Sequence, residues 1–252
     1  MTIETMQEKE LVLFFKYLAE EGWDIEKAHI IALYKVHPQD FFIAYNDELL
    51  LGFIVAIKHS NEFGFISSFL VLKKFRGKGF GKKIFNFALQ HLESCQIALD
   101  SDADKTQFYE NVGFKSYFDV ITYCYETGKI MLPSSSIETI NFDEHLALLM
   151  DNSYISSIVS EDSVNYKAIK NSSIISSCAF TFAYKDGYKI HIESCDINEA
   201  ITLFFALTNE FKKGTKIYLQ ATKLSPLLLA LTETLQMYPL LKSIRMYNKI
   251  LD

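Results

Sequence analysis

The chain has 252 residues, of which 49% are hydrophobic and 22% charged, a balance that is typical of a globular protein and argues against intrinsic disorder. Its formal net charge of -6 provides no global basic surface, so we expect no nucleic-acid partner. The four cysteines are widely spaced, with no CxxC pair and no Cys/His cluster, so we expect neither a disulfide framework nor a metal site. No basic, apolar leader begins the chain and no apolar run could span a bilayer as a helix, so we expect a cytoplasmic protein without a membrane partner.

The first half of the chain alternates between helical and strand-like patterns. Apolar residues at helical spacing predict helices over residues 8–21 and 25–34. Three strand-like runs separated by polar turns then favour antiparallel hairpins. These strands cover residues 41–45, 49–58 and 63–72, and they are followed by a helix over 81–93, a strand over 96–99, a helix over 104–112 and one or two strands over 115–125.

The second half repeats this order without a close sequence repeat. Gly128, Pro133 and three consecutive serines predict a linker over residues 129–136, which divides the chain into domains 1–128 and 137–252. Lys185-Asp186-Gly187 is typical of a hairpin turn between strands over 177–184 and 188–194. The other predicted elements are helices over 142–150, 198–211 and 226–236, and strands over 216–220 and 243–250.

A glycine-rich loop, Arg76-Gly77-Lys78-Gly79-Phe80-Gly81, joins a predicted strand to a predicted helix. Glycines allow positive φ and a close approach of the backbone to a ligand, so successive N–H groups can form a concave anion site. The start of a helix adds a partial positive charge, and Arg76, Lys78 and Lys82 add full charges suited to a pyrophosphate or a 3′-phosphate.

Two other phosphate-binding motifs do not fit this loop. The P-loop of nucleotide hydrolases requires Ser or Thr after Gly-Lys, and none follows Gly81-Lys82. The dinucleotide fingerprint opens a parallel βαβ unit, whereas this loop follows strands of antiparallel character. A basic, glycine-rich turn that binds no ligand remains open from the loop alone.

The chain resembles the GNAT superfamily of acyl-CoA-dependent N-acetyltransferases at two motifs. The loop matches the family's R/Q-x-x-G-x-G/A, and Phe108-Tyr109-Glu110-Asn111-Val112-Gly113-Phe114 is similar to its L-Y-x-x-x-G-F. Glu21-Gly22-Trp23, Leu99-Asp100-Ser101-Asp102 and Arg245-Met246-Tyr247 resemble a tandem subgroup that has a second, degenerate GNAT-like half without its own phosphate loop. The resemblance covers residues 22–118 well and the second half loosely. It implies a mixed α/β (α+β) fold with two GNAT-like domains, each a mostly antiparallel central sheet flanked by helices.

The resemblance also implies which residues hold the donor, acetyl-CoA. The pantetheine arm would bind the backbone of the strand before the loop, and the loop and the residue after it would bind the phosphates. Asp102 would either contact the pantetheine or, as we slightly favour, cap the helix that follows it. The implied cofactor-binding residues are Phe69, Leu70, Val71, Arg76, Gly77, Lys78, Gly79, Phe80, Gly81, Lys82 and Asp102.

Three residues are implied at the reacting end. Tyr109 occupies the family's general-acid position, although it could instead only pack beneath the cofactor and hydrogen-bond its sulfur. Asp100 is assigned a catalytic or substrate-side role, with helix capping as the alternative. Trp23 could bind the acceptor's ammonium through its ring, or it could be an ordinary core residue.

The implied activity is transfer of an acetyl group from acetyl-CoA to a primary amine by direct attack in a ternary complex. A non-catalytic acyl-CoA sensor or scaffold is the alternative, and a longer acyl chain also stays open. The acceptor would be a small molecule or a peptide, and the protein a monomer or homodimer. Because only the first half carries a phosphate loop, we expect one cofactor site per chain.

Overall fold

A computed structural model describes residues 1–24, 26–128, 139–140, 164–171 and 174–249. The chain forms two compact units. The first unit comprises Met1–Ile25, His37–Asp119 and Ser243–Asp252, and the second comprises Glu26–Val36 and Val120–Lys242. Each unit therefore includes a segment from outside its own half of the sequence. The predicted linker 129–136 and the predicted helix 142–150 lie outside the described residues, so the boundary at 128 and 137 stays a prediction.

The described part of the chain contains twelve strands and six α-helices that are used below. The strands are β1 (Thr2–Thr5), β2 (Phe41–Asn46), β3 (Leu49–Lys58), β4 (Phe63–Val71), β5 (Gln96–Ser101), β6 (Lys115–Glu126), β7 (Thr139–Ile140), β8 (Asn165–Asn171), β9 (Ile174–Tyr184), β10 (Gly187–Glu193), β11 (Lys216–Thr222) and β12 (Tyr238–Tyr247). The α-helices are α1 (Leu11–Glu20), α2 (Lys27–Val36), α3 (Phe80–His91), α4 (Thr106–Glu110), α5 (Ile197–Thr208) and α6 (Pro226–Thr234).

The first unit is a sheet with helices packed on both faces. Its strand order is β1-β2-β3-β4-β5-β12, and the described pairings are antiparallel except for β4 with β5. Helix α1 packs Phe14 edge-on against Phe41 and Phe53, with ring centroids 6.3 and 5.5 Å away. Helix α3 buries Ile84 and Phe85 in a separate core cluster. Both helices are amphipathic, so their apolar faces explain this layered arrangement.

The C-terminal strand completes the first unit. Residues 244–247 of β12 pair antiparallel with residues 98–101 of β5. Beyond the strand, the side-chain carbonyl of Asn248 accepts a hydrogen bond from the Ile97 N–H at 2.7 Å, and the Asn248 N–H donates to the Ile97 carbonyl at 3.0 Å. Residues 244–248 are therefore held beside β5.

The second unit has the same kind of architecture. Its strand order is β6-β11-β10-β9-β8-β7, antiparallel except for β10 with β11. Helix α2 places Ala28 and Ala32 in a cluster with Phe180 and Phe182, whereas α5 and α6 bury a second cluster around Phe204. The fold prediction is confirmed, because each unit is a mostly antiparallel sheet flanked by helices.

Most of the predicted elements are observed, with differences at the weak strands. β12 begins at Tyr238 rather than at residue 243, since Pro239 interrupts the strand signal in the sequence. β1 and β8 were not predicted because the first has only four residues and the second is rich in Asn and Lys. Among the described residues, no helix has the length and apolar character that crossing a membrane requires.

Candidate active site

The two parallel strands of the first unit separate before β4 ends. β4 and β5 pair from Phe63↔Gln96 to Ile66↔Leu99, and β4 then continues to Val71. β5 also continues, to Ser101, without a further partner on β4, while β12 pairs along its opposite edge. Residues 67–71 of β4 consequently present an open edge, and the strand pair forms a V-shaped slot.

A bulge shapes the end of β4. The register of β3 against β4 shifts between Phe53 and Val55, and Ser68 adopts φ +48° at this point. Gly52 faces the bulged segment closely, because a Cβ there would lie 2.0 Å from the carbonyl oxygen of Leu70. A bulge bends a strand and re-aims its edge, so this irregularity gives the slot its direction.

The ladder determines which backbone groups face the slot. The Leu72 N–H donates to the Leu51 carbonyl at 2.9 Å, and Leu70 lies opposite Phe53 in the same register. Because backbone groups alternate along a strand, those of Leu70 point to β3 and those of Phe69 and Val71 point to the open edge. The predicted pantetheine contacts therefore narrow to Phe69 and Val71, and Leu70 is corrected to a buried ladder residue that is 2% exposed.

The glycine-rich loop ends at an uncapped helix. Gly77 and Gly79 adopt φ +73° and +81°, and Gly79 is the N-cap of α3, where no side chain accepts a hydrogen bond. The first N–H groups of a helix have no partner inside it, so those of Phe80, Gly81 and Lys82 are available to an anion. Lys78 and Lys82 are exposed beside them. These residues fit a pyrophosphate group.

Gly81 allows the helix to approach the slot. A Cβ at Gly81 would lie 3.4 Å from a Val71 methyl and 3.5 Å from the Phe69 ring. A larger side chain would therefore separate the start of α3 from β4. This contact places the anion site directly beside the open edge of the strand.

Arg76 has a half-exposed side chain, and its contact with a phosphate stays a prediction. Its Nη2 lies 2.8 Å from a carboxylate oxygen of Glu21, and its Nε donates to the Val71 carbonyl at 2.8 Å. The guanidinium thus binds protein groups, and Lys78 and Lys82 are the loop's outward-facing cations. The sequence could not reveal this because Glu21 is distant along the chain.

Tyr109 lies in an aromatic cluster next to the slot. Its ring is 5.5 Å from Phe85, which also contacts Phe69 of the slot strand at 5.4 Å. Burial, and secondarily the Asp102 carboxylate, raise the pKa of Tyr109 to about 12. The phenol is therefore protonated at neutral pH, which suits a proton donor.

The two aspartates after β5 differ from their predicted roles. Helix α4 begins at Thr106 after Lys105, with no side-chain cap, so the favoured interpretation of Asp102 as a helix cap is wrong. Asp102 is exposed and acts on the Tyr109 hydroxyl electrostatically. Asp100 forms a two-point ion pair with Arg245, whose Nη2 lies 3.0 Å from Asp100 Oδ2. Its role toward a substrate stays a prediction.

Arg245 lies beside Asp100, a neighbour that the sequence did not identify. Its guanidinium carbon lies 5.0 Å from the centre of the Phe65 ring and 5.8 Å from that of Phe118. In the sequence, Arg245-Met246-Tyr247 was the available signal for this residue. Asp100 is identified as the partner of Arg245 only once β12 is placed beside β5.

Trp23 lies in the turn that follows α1. Its side chain is 43% exposed, which excludes the alternative that it is a core residue. Gly22 with φ +74° and a hydrogen bond from the Trp23 N–H to the Leu18 carbonyl fix the turn. Within the ranges given above, no cluster of three or more His, Cys, Asp or Glu side chains could hold a metal ion.

The slot, the uncapped helix and the adjacent tyrosine define the class of protein. Residues 37–116 match the model of the acetyltransferase (GNAT) domain family. The match lies within the first unit and covers about a third of the chain.

The solved structures extend this fold to the second unit. A putative acetyltransferase from Pyrococcus horikoshii superimposes with a TM-score of 0.70 over 100% of this chain and 94% of that one, at 13% identity. A tandem GNAT protein from the clavulanic acid biosynthesis pathway gives a TM-score of 0.68 over 100% and 99%, at 9% identity. At these identities the likeness establishes the fold, which is that of tandem GNAT proteins.

One curated relative matches part of the chain. Holothin acyltransferase from Pseudoalteromonas sp. (strain SANK 73390) is 20% identical over 99 residues, which cover 39% of this chain and 34% of the relative. The match thus spans about a third of that protein's length. It supports assignment to a family of acyltransferases.

Proposed function

We propose that the protein transfers an acetyl group from acetyl-CoA to a primary amine. The observation that carries the proposal is the open edge of β4 directly beside the uncapped start of α3. The open edge suits an extended arm that contains amides, and the uncapped helix start suits a pyrophosphate. Coenzyme A carries these two groups one after the other.

The N–H groups at the start of α3, with Lys78 and Lys82, would hold the phosphates. Phe69 and Val71 would align the pantetheine arm along the slot, and a backbone N–H there would polarise the thioester carbonyl. Both features are rigid parts of the fold, since Gly81 packs the helix against the strand. The donor would consequently be bound at two separate points.

In the transfer, a new N–C bond forms as the neutral amine attacks the carbonyl carbon and the C–S bond breaks. The departing thiolate takes the hydroxyl proton of Tyr109, the amine loses a proton to water, and the Tyr109 phenolate then regains a proton from the solvent. The raised pKa of Tyr109 keeps this hydroxyl protonated over the neutral pH range. The acceptor would be a small molecule or a peptide, and the protein a monomer or homodimer in the cytoplasm.

Thiol release from acetyl-CoA across a panel of primary amines tests the activity. We expect turnover with at least one amine, and we expect Tyr109→Phe to lower kcat roughly 10²–10⁴-fold while acetyl-CoA binding persists. Tyr45→Phe is the matched control, since Tyr45 hydrogen-bonds Glu10 away from the slot. Binding of acetyl-CoA without turnover of any amine would favour a sensor, and no binding of any acyl-CoA would end the proposal.

A further inference from the structure

Arg76 connects three parts of the first unit. Its Nε donates to the carbonyl of Val71 at the end of β4, and its Nη2 contacts Glu21 at the end of α1, both at 2.8 Å. The backbone from Val71 to Arg76 forms a tight turn, because the Arg76 N–H donates to the Lys73 carbonyl at 3.2 Å. The guanidinium therefore links the end of β4 and the end of α1 to the start of the glycine-rich loop.

Glu21 is poorly placed for the stability of its own helix. It is the C-cap of α1, where the helix dipole disfavours a negative charge. Its side chain is nevertheless only 14% exposed, and its carboxylate lies between Arg76 and Lys73, the latter at 3.8 Å. These two cations compensate the negative charge of Glu21 and explain why it is tolerated at the end of α1.

The turn that carries Trp23 begins at Glu21. Gly22 and Trp23 follow Glu21, and the Trp23 N–H is hydrogen-bonded back to Leu18 of α1. A fixed Glu21 therefore fixes the backbone of this turn relative to the slot strand.

We propose that Glu21 and Arg76 are positioning residues that hold the phosphate loop and the Trp23 turn in register on β4. This inference rests on the proposed function, because it assigns these two residues to the coenzyme A site. Arg76 acts through Val71 and Glu21 and does not contact the phosphates. The bridging guanidinium sets the distance between the slot edge and the first N–H groups of α3, and the two anchoring points of the donor depend on that distance.

The test measures equilibrium binding of coenzyme A itself, so that it does not depend on turnover. Glu21→Gln should weaken binding about fivefold, which is the upper range for a partly exposed ion pair. Glu20→Gln is the matched control, since Glu20 precedes it on α1 and pairs only loosely with Lys16 at 3.9 Å. The control should leave the affinity unchanged.

A double-mutant cycle separates positioning from direct contact. Arg76→Gln alone should weaken coenzyme A binding at least about fivefold, and adding Glu21→Gln should weaken it by less than about twofold further, because both changes break the same bridge. In the steady state, the single variants should raise KM for acetyl-CoA more than they lower kcat.

Each other outcome overturns the inference. Tighter binding by Glu21→Gln would mean that Glu21 withholds Arg76 from the phosphates. A further roughly fivefold loss on adding Glu21→Gln to Arg76→Gln would show that the two residues act separately, with Arg76 as a direct ligand. An unchanged affinity in Glu21→Gln would make the ion pair irrelevant to the site. Absence of coenzyme A binding by the unmodified protein would instead refute the proposed function, and is thereby distinguished from these results.

Discussion

The helices that follow β4 in the first unit and β10 in the second begin in opposite ways. Helix α3 starts at Gly79, which has no side chain and leaves the first N–H groups free. Helix α5 starts at Asp196, whose carboxylate accepts hydrogen bonds from the N–H groups of Asn198 and Glu199 at 2.8 and 3.0 Å. In the second unit, the carboxylate of Asp196 thus occupies the place that an anionic ligand would take at the helix start.

The strands in front of these helices are alike. β10 pairs with β11 only from Gly187↔Lys216 to Lys189↔Tyr218, and β10 then continues to Glu193. This short parallel pairing matches that of β4 with β5. The sheet geometry is therefore shared by both units, and the residues at the helix start decide which unit can bind a pyrophosphate.

The next helix shows the same contrast. Helix α4 contains Tyr109, whereas α6 consists mainly of Leu, Ala and Thr and contains no tyrosine. Over its described residues, the second unit thus has neither an uncapped helix start after β10 nor a tyrosine on α6, the two features on which the proposed transfer depends. We therefore expect all donor binding and chemistry in the first unit.

The largest expected effect comes from placing an acidic side chain at the start of α3. Gly79→Asp places a carboxylate there, where it would repel a pyrophosphate. We expect the affinity for acetyl-CoA to fall at least about 100-fold, or about 2.7 kcal/mol. Isothermal titration measures this change directly.

Gly214→Asp is the control for backbone strain. Gly214 has φ +85°, and the space around it is open, as it is around Gly79. Both substitutions therefore impose the same conformational cost, but only one lies at the proposed anion site. Equal losses of acetyl-CoA affinity in the two variants would contradict the contrast between the units.

A second expected effect concerns the core of the second unit at acid pH. Burial lowers the pKa of His191 well below 6.5, and Lys189 and His29 lower it further. Burial also lowers the pKa of His29, opposed by Glu26. These histidines are neutral when folded and take up protons on unfolding, so stability is lost as the pH falls below about 6.5, by up to about 1.4 kcal/mol per pH unit for each group.

His191→Phe tests this dependence. The His191 ring packs against both Phe180 and Phe182, with ring centroids 5.1 and 5.4 Å away, and its buried Nε2 has no hydrogen-bond partner. A phenylalanine fits this environment without binding a proton, so the fall in melting temperature between pH 7 and pH 5 should become smaller. An identical pH dependence in the variant would exclude His191 as a cause.

The smallest effect is expected from removing the cap of the second unit. Asp196→Ala should destabilise the protein by about 1 kcal/mol, since two N–H groups of α5 lose their acceptor. It should not create a second coenzyme A site, because Ser194-Cys195-Asp196 contains no Lys or Arg. Denaturant unfolding measures the first effect and titration of the variant with acetyl-CoA the second. Two acetyl-CoA molecules bound per chain would show that the cap alone closed the site.

The sequence predicted the features of the site that lie in local motifs. The loop from Arg76 to Gly81 and the helix of Tyr109 could be recognised because their spacing carries the chemistry. The same holds for the helices and strands of residues 8–125, whose periodicity is strong.

Features that depend on distant contacts could not be predicted. The partners Glu21 of Arg76 and Arg245 of Asp100 come together only when α1, β12 and the loop are folded. The exclusion of Leu70 from the slot depends on the register of β3 against β4. Hydrophobic periodicity contains no information about register between strands, so these assignments required the structure.

The central claim is that the chain holds one donor site, at the start of α3. Titration of the intact protein with acetyl-CoA should give one molecule bound per chain, and Lys78→Ala with Lys82→Ala should weaken this binding. Gly79→Asp should remove it, with no residual site of comparable affinity. Two sites per chain, or one site that survives Gly79→Asp with unchanged affinity, would contradict the account.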